Sequence, residues 1–203
     1  MKFKLTKELI DEYPDDKPYR QLRLYKVFRD EGQIVGQFFY YTDEQYFIFD
    51  DTQISIEVIL KLFKKTKYNL LDKKKQIQIG DYEIFGGFGI NRFWQDVPST
   101  PTGLINIGYK KYNFRRIPAE VENSFFKKAT WGYCKFRLYE TKGNEFYEYS
   151  LKMDIPVLSK AHFTKYRPFV GEIESNSENL LIILAGLYLM DIEFEFEDTK
   201  NDD

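Results

Sequence analysis

Cysteine and histidine are nearly absent: Cys134 and His162 are the single residues of their kinds. One thiol excludes an intramolecular disulfide framework, and so few soft ligands exclude a His-rich or Cys-rich metal site. Cys134 reads as a small core hydrophobe or semi-exposed thiol rather than a nucleophile. Ser–His–Asp chemistry would have to use His162 in "SKAHFTKYRPF", and no nucleophile-elbow motif occurs in the chain. A phosphate-cradling loop is also missing. "FGGFGINRFW" (85–94) is rich in glycine but has neither GxGxxG nor GxxxxGK[ST] spacing, so it reads as an aromatic–glycine strand with a bulge or a bend at a barrel corner. Trp94 and Trp131 read as core or rim packing. No catalytic residue, metal or cofactor is assigned, and the expectation is a non-enzyme.

A dominant charge is lacking too. The formal net charge of −2 leaves none of the basic excess on which a dedicated nucleic-acid binder depends, so no nucleic-acid partner is expected. The opening "MKFKLTKELIDEYPDD" has no apolar h-region and turns acidic early, which makes the cytoplasm the default compartment. The longest apolar run, 180–190 in "ENLLIILAGLYLMDIEFEFED", has 11 residues. As a helix it would cover about 16 Å, against the roughly 30 Å of a bilayer core, so no transmembrane span is expected.

What the chain has in abundance is rings: 19 Phe and 16 Tyr in 203 residues, residue types that favour pleated, half-buried strands. Period-2 patterning dominates. "QLRLYKVF" (21–28), "IVGQFFYY" (34–41), "EQYFIFD" (44–50), "YNLLDKKKQIQIGDYEI" (68–84) and "YCKFRLYETKGNEFYEYSLKM" (133–153) read as strands joined by charged turns. Gly32 and Gly143 fall where such turns need positive φ. Repeated hairpins predict an antiparallel meander within a single domain spanning 1–203, with 199–203 a frayed acidic tail. Three segments predict helix or loop instead: "KLTKELIDEY" (4–13) as a short helix, "DDTQISIEVILKLFKK" (50–65) as a helix capped by Asp51 or Thr52, although Ile54, Ile56 and Val58 also fit a strand, and "PAEVENSFFKKAT" (118–130) as a loop or short helix. "DVPSTPTG" (96–103) is the clearest loop.

The run 180–190 is apolar on every face, and such a helix must be enclosed on every side. Ser177 is placed to cap it, and Glu178 and Asp191 flank it. Beyond Asp191 the period changes to 2, with Ile192, Phe194 and Phe196 on one side of a predicted strand. A wrapped helix among antiparallel hairpins predicts a mainly β fold: a closed antiparallel barrel with the helix through its middle.

The pattern "LLIILAGLYLMDIEFEFE", a hydrophobic helix followed by Asp and an aromatic-rich segment, resembles the end of phospholipid scramblases and of the wider tubby C-terminal-like superfamily, which includes LURP-one-related proteins. The turns "RDEG" and "LDKKK", each followed by a glycine (Gly36, Gly80), are similar to that superfamily's strand–Asp–turn–strand units. The resemblance implies about 12 strands around a central helix. It does not imply scrambling. The Pro-rich leader and palmitoylated Cys cluster are missing, and Glu172, Glu174 and Glu178 lack the spacing of an EF-hand loop.

Two basic stretches stand out. Residues 61–75 carry Lys61, Lys64, Lys65, Lys67, Lys73, Lys74 and Lys75 against one aspartate; "YKKYNFRRI" (109–117) adds Lys110, Lys111, Arg115 and Arg116 among aromatics. Tubby proteins bind phosphoinositide head groups through surface Lys and Arg. If the stretches meet on one face they would form a similar peripheral site for an anionic membrane surface, with arginines as bidentate phosphate ligands. The alternatives are Lys-rich turns that keep strand edges apart, and a soluble barrel that takes a small ligand or a protein at its aromatic rim. The acidic stretch 191–203 reads as a strand's outer face plus a solvated tail.

Overall fold

The computed structural model describes residues 1–10, 22–29, 32–41, 44–59, 67–72, 77–84, 103–117, 133–152 and 168–200. Twelve antiparallel strands follow one another round a closed barrel: β1 (Lys2–Ile10), β2 (Leu22–Phe28), β3 (Ile34–Tyr40), β4 (Gln45–Phe49), β5 (Thr52–Ile59) and β6 (Lys67–Asp72) form one half. β7 (Ile77–Ile84), β8 (Gly103–Ile107), β9 (Lys110–Ile117), β10 (Tyr133–Glu140), β11 (Phe146–Lys152) and β12 (Phe169–Ser175) form the other. Every strand pairs with its sequence neighbours, and β1 pairs with β12, from Lys2 opposite Glu174 to Lys7 opposite Phe169. A single helix, α1 (Leu180–Lys200), follows.

Alternation decides which side chains line the interior. Phe3 and Leu5, Tyr25 and Val27, Phe38, Phe47, Ile54 and Ile56, Tyr112 and Phe114, Phe136 and Leu138, and Tyr147, Tyr149 and Leu151 all point inward and are buried. Rings meet edge to face or stacked: Phe38 touches Tyr25, Phe47 and Tyr188, and Phe114 stacks on Phe136 at 5.4 Å. Helix α1 enters beside the turns that join β2 to β3, β4 to β5, β8 to β9 and β10 to β11. From Ile182 to Ile192, with Gly186 among them, every residue is buried. Its Ile and Leu side chains contribute roughly 1.5–3 kcal/mol each by leaving water. Gly186 is required by close approach: a Cβ there would lie 2.1 Å from the Tyr149 hydroxyl. That hydroxyl donates to the Ile183 carbonyl at 2.9 Å.

Several expectations are corrected. Residues 52–59 form a strand, not a helix. Ile54 and Ile56 are β-branched at period 2, and they pair opposite β4 across the two-residue turn Asp50–Asp51, whose φ values of 45° and 56° are those of a type I′ turn. Residues 2–10 are likewise a strand, because β1 has partners on both sides and Phe3, Leu5 and Lys7 face inward. The helix does not stop at Met190 but runs to Lys200. A strand at 192–197 would need a free sheet edge, and the closure of β1 on β12 leaves none. Its cap is Asn179, not Ser177: the Asn179 side chain accepts from the Ile182 N–H at 3.3 Å. Asp191 is no flank; it is fully buried within the helix. Gly32 has φ 81°, as expected, whereas Gly143 does not have positive φ. The loop at Gly143 is longer, and Asn176 holds it by accepting from the Phe146 N–H and donating to the Asn144 carbonyl. The segments 85–94, 96–102 and 118–130, with Trp94, Trp131 and His162, lie outside the described residues.

Candidate anion-binding face

Outward positions of β9 and β10 carry a row of cations. On β9 these are Lys111, which is exposed, and Arg115, which is partly exposed; on β10 they are Lys135 and Arg137. Register places Arg115 directly opposite Arg137 and Lys135 opposite Ile117. Like charges directly opposite on paired strands are destabilising, so this pair costs free energy in the unliganded barrel. Two contacts offset part of it. The Arg115 guanidinium lies over the Tyr139 ring, 5.2 Å from its centroid. On the far side of β10, Glu148 of β11 accepts from Arg137 Nε at 3.2 Å and from Lys135 Nζ at 3.3 Å. Burial by itself would raise the Glu148 carboxyl, but those hydrogen bonds outweigh it and hold the group below the usual carboxylate range. Glu148 thus accepts from two of the four cations, and Glu174 of β12 stands directly opposite it. Beyond β11 the charge changes: Glu172 and Glu174 on β12 stand opposite Lys4 and Lys2 of β1, which bounds the basic face on that side. On its other side Asn106 donates to Asp81 at 2.7 Å.

The lower edge of this face is the two-residue turn from β8 to β9. Gly108 has φ 58° and Tyr109 does not have positive φ, the arrangement of a type II′ turn. Tyr109 at the tip is 95% exposed. Next to it the Thr141 N–H donates to the Lys111 carbonyl at 2.8 Å, which places the exposed Lys142 loop alongside Lys111.

Lys110 has a different role. Its Nζ is paired with Glu145, which also accepts from the Tyr112 hydroxyl at 2.7 Å and the Tyr147 hydroxyl at 3.3 Å. For Glu145, burial raises the carboxyl, and the donors Lys110, Tyr112 and Tyr147 more than reverse this, so it ionises below its ordinary range. Both phenols are raised, first by burial and further by the carboxylate beside them, and they stay protonated donors. Lys110 is raised in turn by its hydrogen bond to Glu145.

Inside the barrel a second charged cluster joins α1 to the wall. Arg23 Nη2 lies 2.7 Å from Asp191 Oδ2 and Lys7 Nζ lies 4.0 Å from Oδ1, while the Tyr25 hydroxyl donates to Oδ1. The Arg23 guanidinium also covers the Tyr40 ring at 3.6 Å, and the Lys7 ammonium lies near the rings of Tyr25 and Phe169. All of Lys7, Arg23 and Asp191 are buried.

Of the residues expected from sequence, Lys111 and Arg115 share the outer face of β9, four residues apart, and Lys110 is paired with Glu145. Arg116 is in β9 and Lys67 opens β6, with β7 and β8 between it and β9. Lys61, Lys64, Lys65, Lys73, Lys74 and Lys75 lie outside the described residues. Sequence reasoning missed Lys135 and Arg137. The alternation in "CKFRLY", cation and apolar in turn, carried that information, since it puts both cations on the outer face.

Among the described residues no group of His, Cys, Asp and Glu is placed to hold a metal, and no helix is long and apolar enough to cross a membrane. No family model matches the chain, and neither does any curated protein or solved structure.

Proposed function

We propose that the chain is a non-catalytic barrel of the tubby-like type that binds anionic phospholipid head groups at a membrane surface, through the outer face of β9 and β10. One observation carries this reading: Arg115 and Arg137 stand opposite each other, with Lys135 and Lys111 on the same face and Glu148 as the carboxylate that offsets them. A phosphate oxygen placed between two guanidinium groups accepts from both and removes their mutual repulsion. Each cation near an anionic leaflet is worth on the order of 1 kcal/mol. A small ligand held inside the barrel has less support, because α1 occupies the interior with buried Ile, Leu and Tyr side chains.

Co-sedimentation with vesicles tests the reading, using phosphatidylcholine alone against phosphatidylcholine with phosphatidylserine or a phosphoinositide. Binding is expected to anionic vesicles alone and to weaken on going from low salt to about 0.15 M. The double variant Arg115→Glu/Arg137→Glu is expected to lose more than about tenfold in partitioning. Absence of binding by the wild type at low salt, where attraction is strongest, would overturn the proposal.

A further inference from the structure

We infer that Tyr109 is an interfacial anchor, and that the barrel meets a bilayer surface along its side, with the β8–β9 turn at the leading edge of contact. The inference rests on the proposed face and adds how that face is seated. At 95% exposure, Tyr109 is the most open of the large hydrophobic side chains among the described residues. A two-residue turn gives it little freedom: Ile107 pairs with Lys110 immediately below it, and Gly108 supplies the positive φ that closes the turn. Strand pairing therefore fixes the backbone that carries the ring.

Its surroundings select the partner. Lys111 and Lys142 are exposed beside the turn, and the wall above it leads through Arg115 to Arg137 and Lys135. A ring with a polar tip, set at one end of a band of cations, fits the boundary between head groups and acyl chains: the ring leaves water there and the hydroxyl keeps a hydrogen-bonding partner. A soluble polyanion would use the cations and gain little from the ring. Because the cations lie along β9 and β10 rather than across the barrel mouth, contact of all of them with one plane requires the strands to lie along that plane. End-on seating would bring Tyr109 to the surface and leave Arg115 and Lys135 distant from it, on a strand that rises about 3.3 Å per residue.

Vesicles of phosphatidylcholine containing about 30% phosphatidylserine and soluble heparin serve as the two probes, with the full chain, Tyr109→Ala, Tyr109→Trp and Arg115→Glu/Arg137→Glu. Tyr109→Ala is expected to lower vesicle partitioning roughly fivefold and to leave heparin binding unchanged; Tyr109→Trp is expected to restore or exceed wild-type partitioning. Brominated acyl chains should quench Tyr109→Trp beyond the background that Trp94 and Trp131 give in the wild type. Tyr109→Ala binding vesicles as the wild type does, with the double Arg variant deficient, would overturn the anchor and leave the head-group reading standing. An equal loss toward heparin and vesicles would also overturn it, making Tyr109 part of a general polyanion site. A wild type that fails to bind vesicles would overturn both. Tyr109 is almost fully exposed, so its substitutions leave the fold intact; Arg137 bonds Glu148, so circular dichroism and thermal melting of the double Arg variant are compared with the wild type before its binding is read.

Discussion

Glu145 holds three donors from two strands, Lys110 and Tyr112 on β9 and Tyr147 on β11. Its carboxyl is lowered in the folded chain relative to the unfolded one, and the sign of the pH effect follows. A lowered carboxylate adds stability at pH values above its unfolded pKa, about 4.3, and that contribution is lost as pH falls through the folded value. Glu145→Gln is therefore expected to be less stable than the wild type by a constant amount at neutral pH, with the gap closing in acid. Urea unfolding at a series of pH values measures it, and a gap that persists unchanged into acid would exclude the carboxylate as its source. Lys110 shows why this contact was illegible beforehand. Its basic neighbourhood in "YKKYNFRRI" suggested a head-group ligand, whereas its actual partner is 35 residues away on the rim and belongs to no local pattern. Lys111 and Arg115, one position and five positions along, stand on the outer face of β9.

At the scale of elements, alternation was a reliable guide where the apolar residues satisfied period 2 alone. It identified β2, β3, β4, β6, β7, β10 and β11 within a residue or two. It failed for β1 and β5, where apolar residues satisfy periods of 2 and 3.6 together and pairing decides. It failed in the opposite sense for the end of α1, where "DIEFEFED" alternates and yet is helical. Asp191 is the hinge of that error. Taken as the end of the apolar run, it is instead the residue that joins the helix to β1 and β2 through Lys7, Arg23 and Tyr25. Those partners precede it by more than 160 positions, so the cluster had no local signature. Removing one member of a buried ionic group leaves the others desolvated, and Asp191→Ala is expected to cost roughly 3–5 kcal/mol. Chemical denaturation measures this; a change under about 1 kcal/mol would mean that the cluster contributes little to holding the helix.

For the whole molecule, the barrel and its filling are a single unit. Rings from opposite walls reach the axis only because α1 is there to meet them: Phe38 on Tyr188, Tyr149 on the Ile183 carbonyl beside Gly186. A chain cut before Leu180 is expected to lose cooperative unfolding and near-ultraviolet circular dichroism, since the buried rings of the wall lose the helix they pack on. A sharp, wild-type-like melting transition from the cut chain would show that the wall stands alone. The barrel with its central helix was legible from an apolar run too short to span a bilayer and too apolar to be uncovered. The basic face was only half legible, since its second row lies on β10, which register alone brings beside β9.

The order of elements has a consequence for synthesis. Each strand can pair with its predecessor as it leaves the ribosome, but β1 has no second neighbour until β12 emerges, and the buried helix of residues 180–192 follows only after that. For most of translation the nascent polypeptide is an open sheet with both edges bare, that of β1 and that of the newest strand. Chaperone capture or misassociation is decided in that interval, before the final element completes the core.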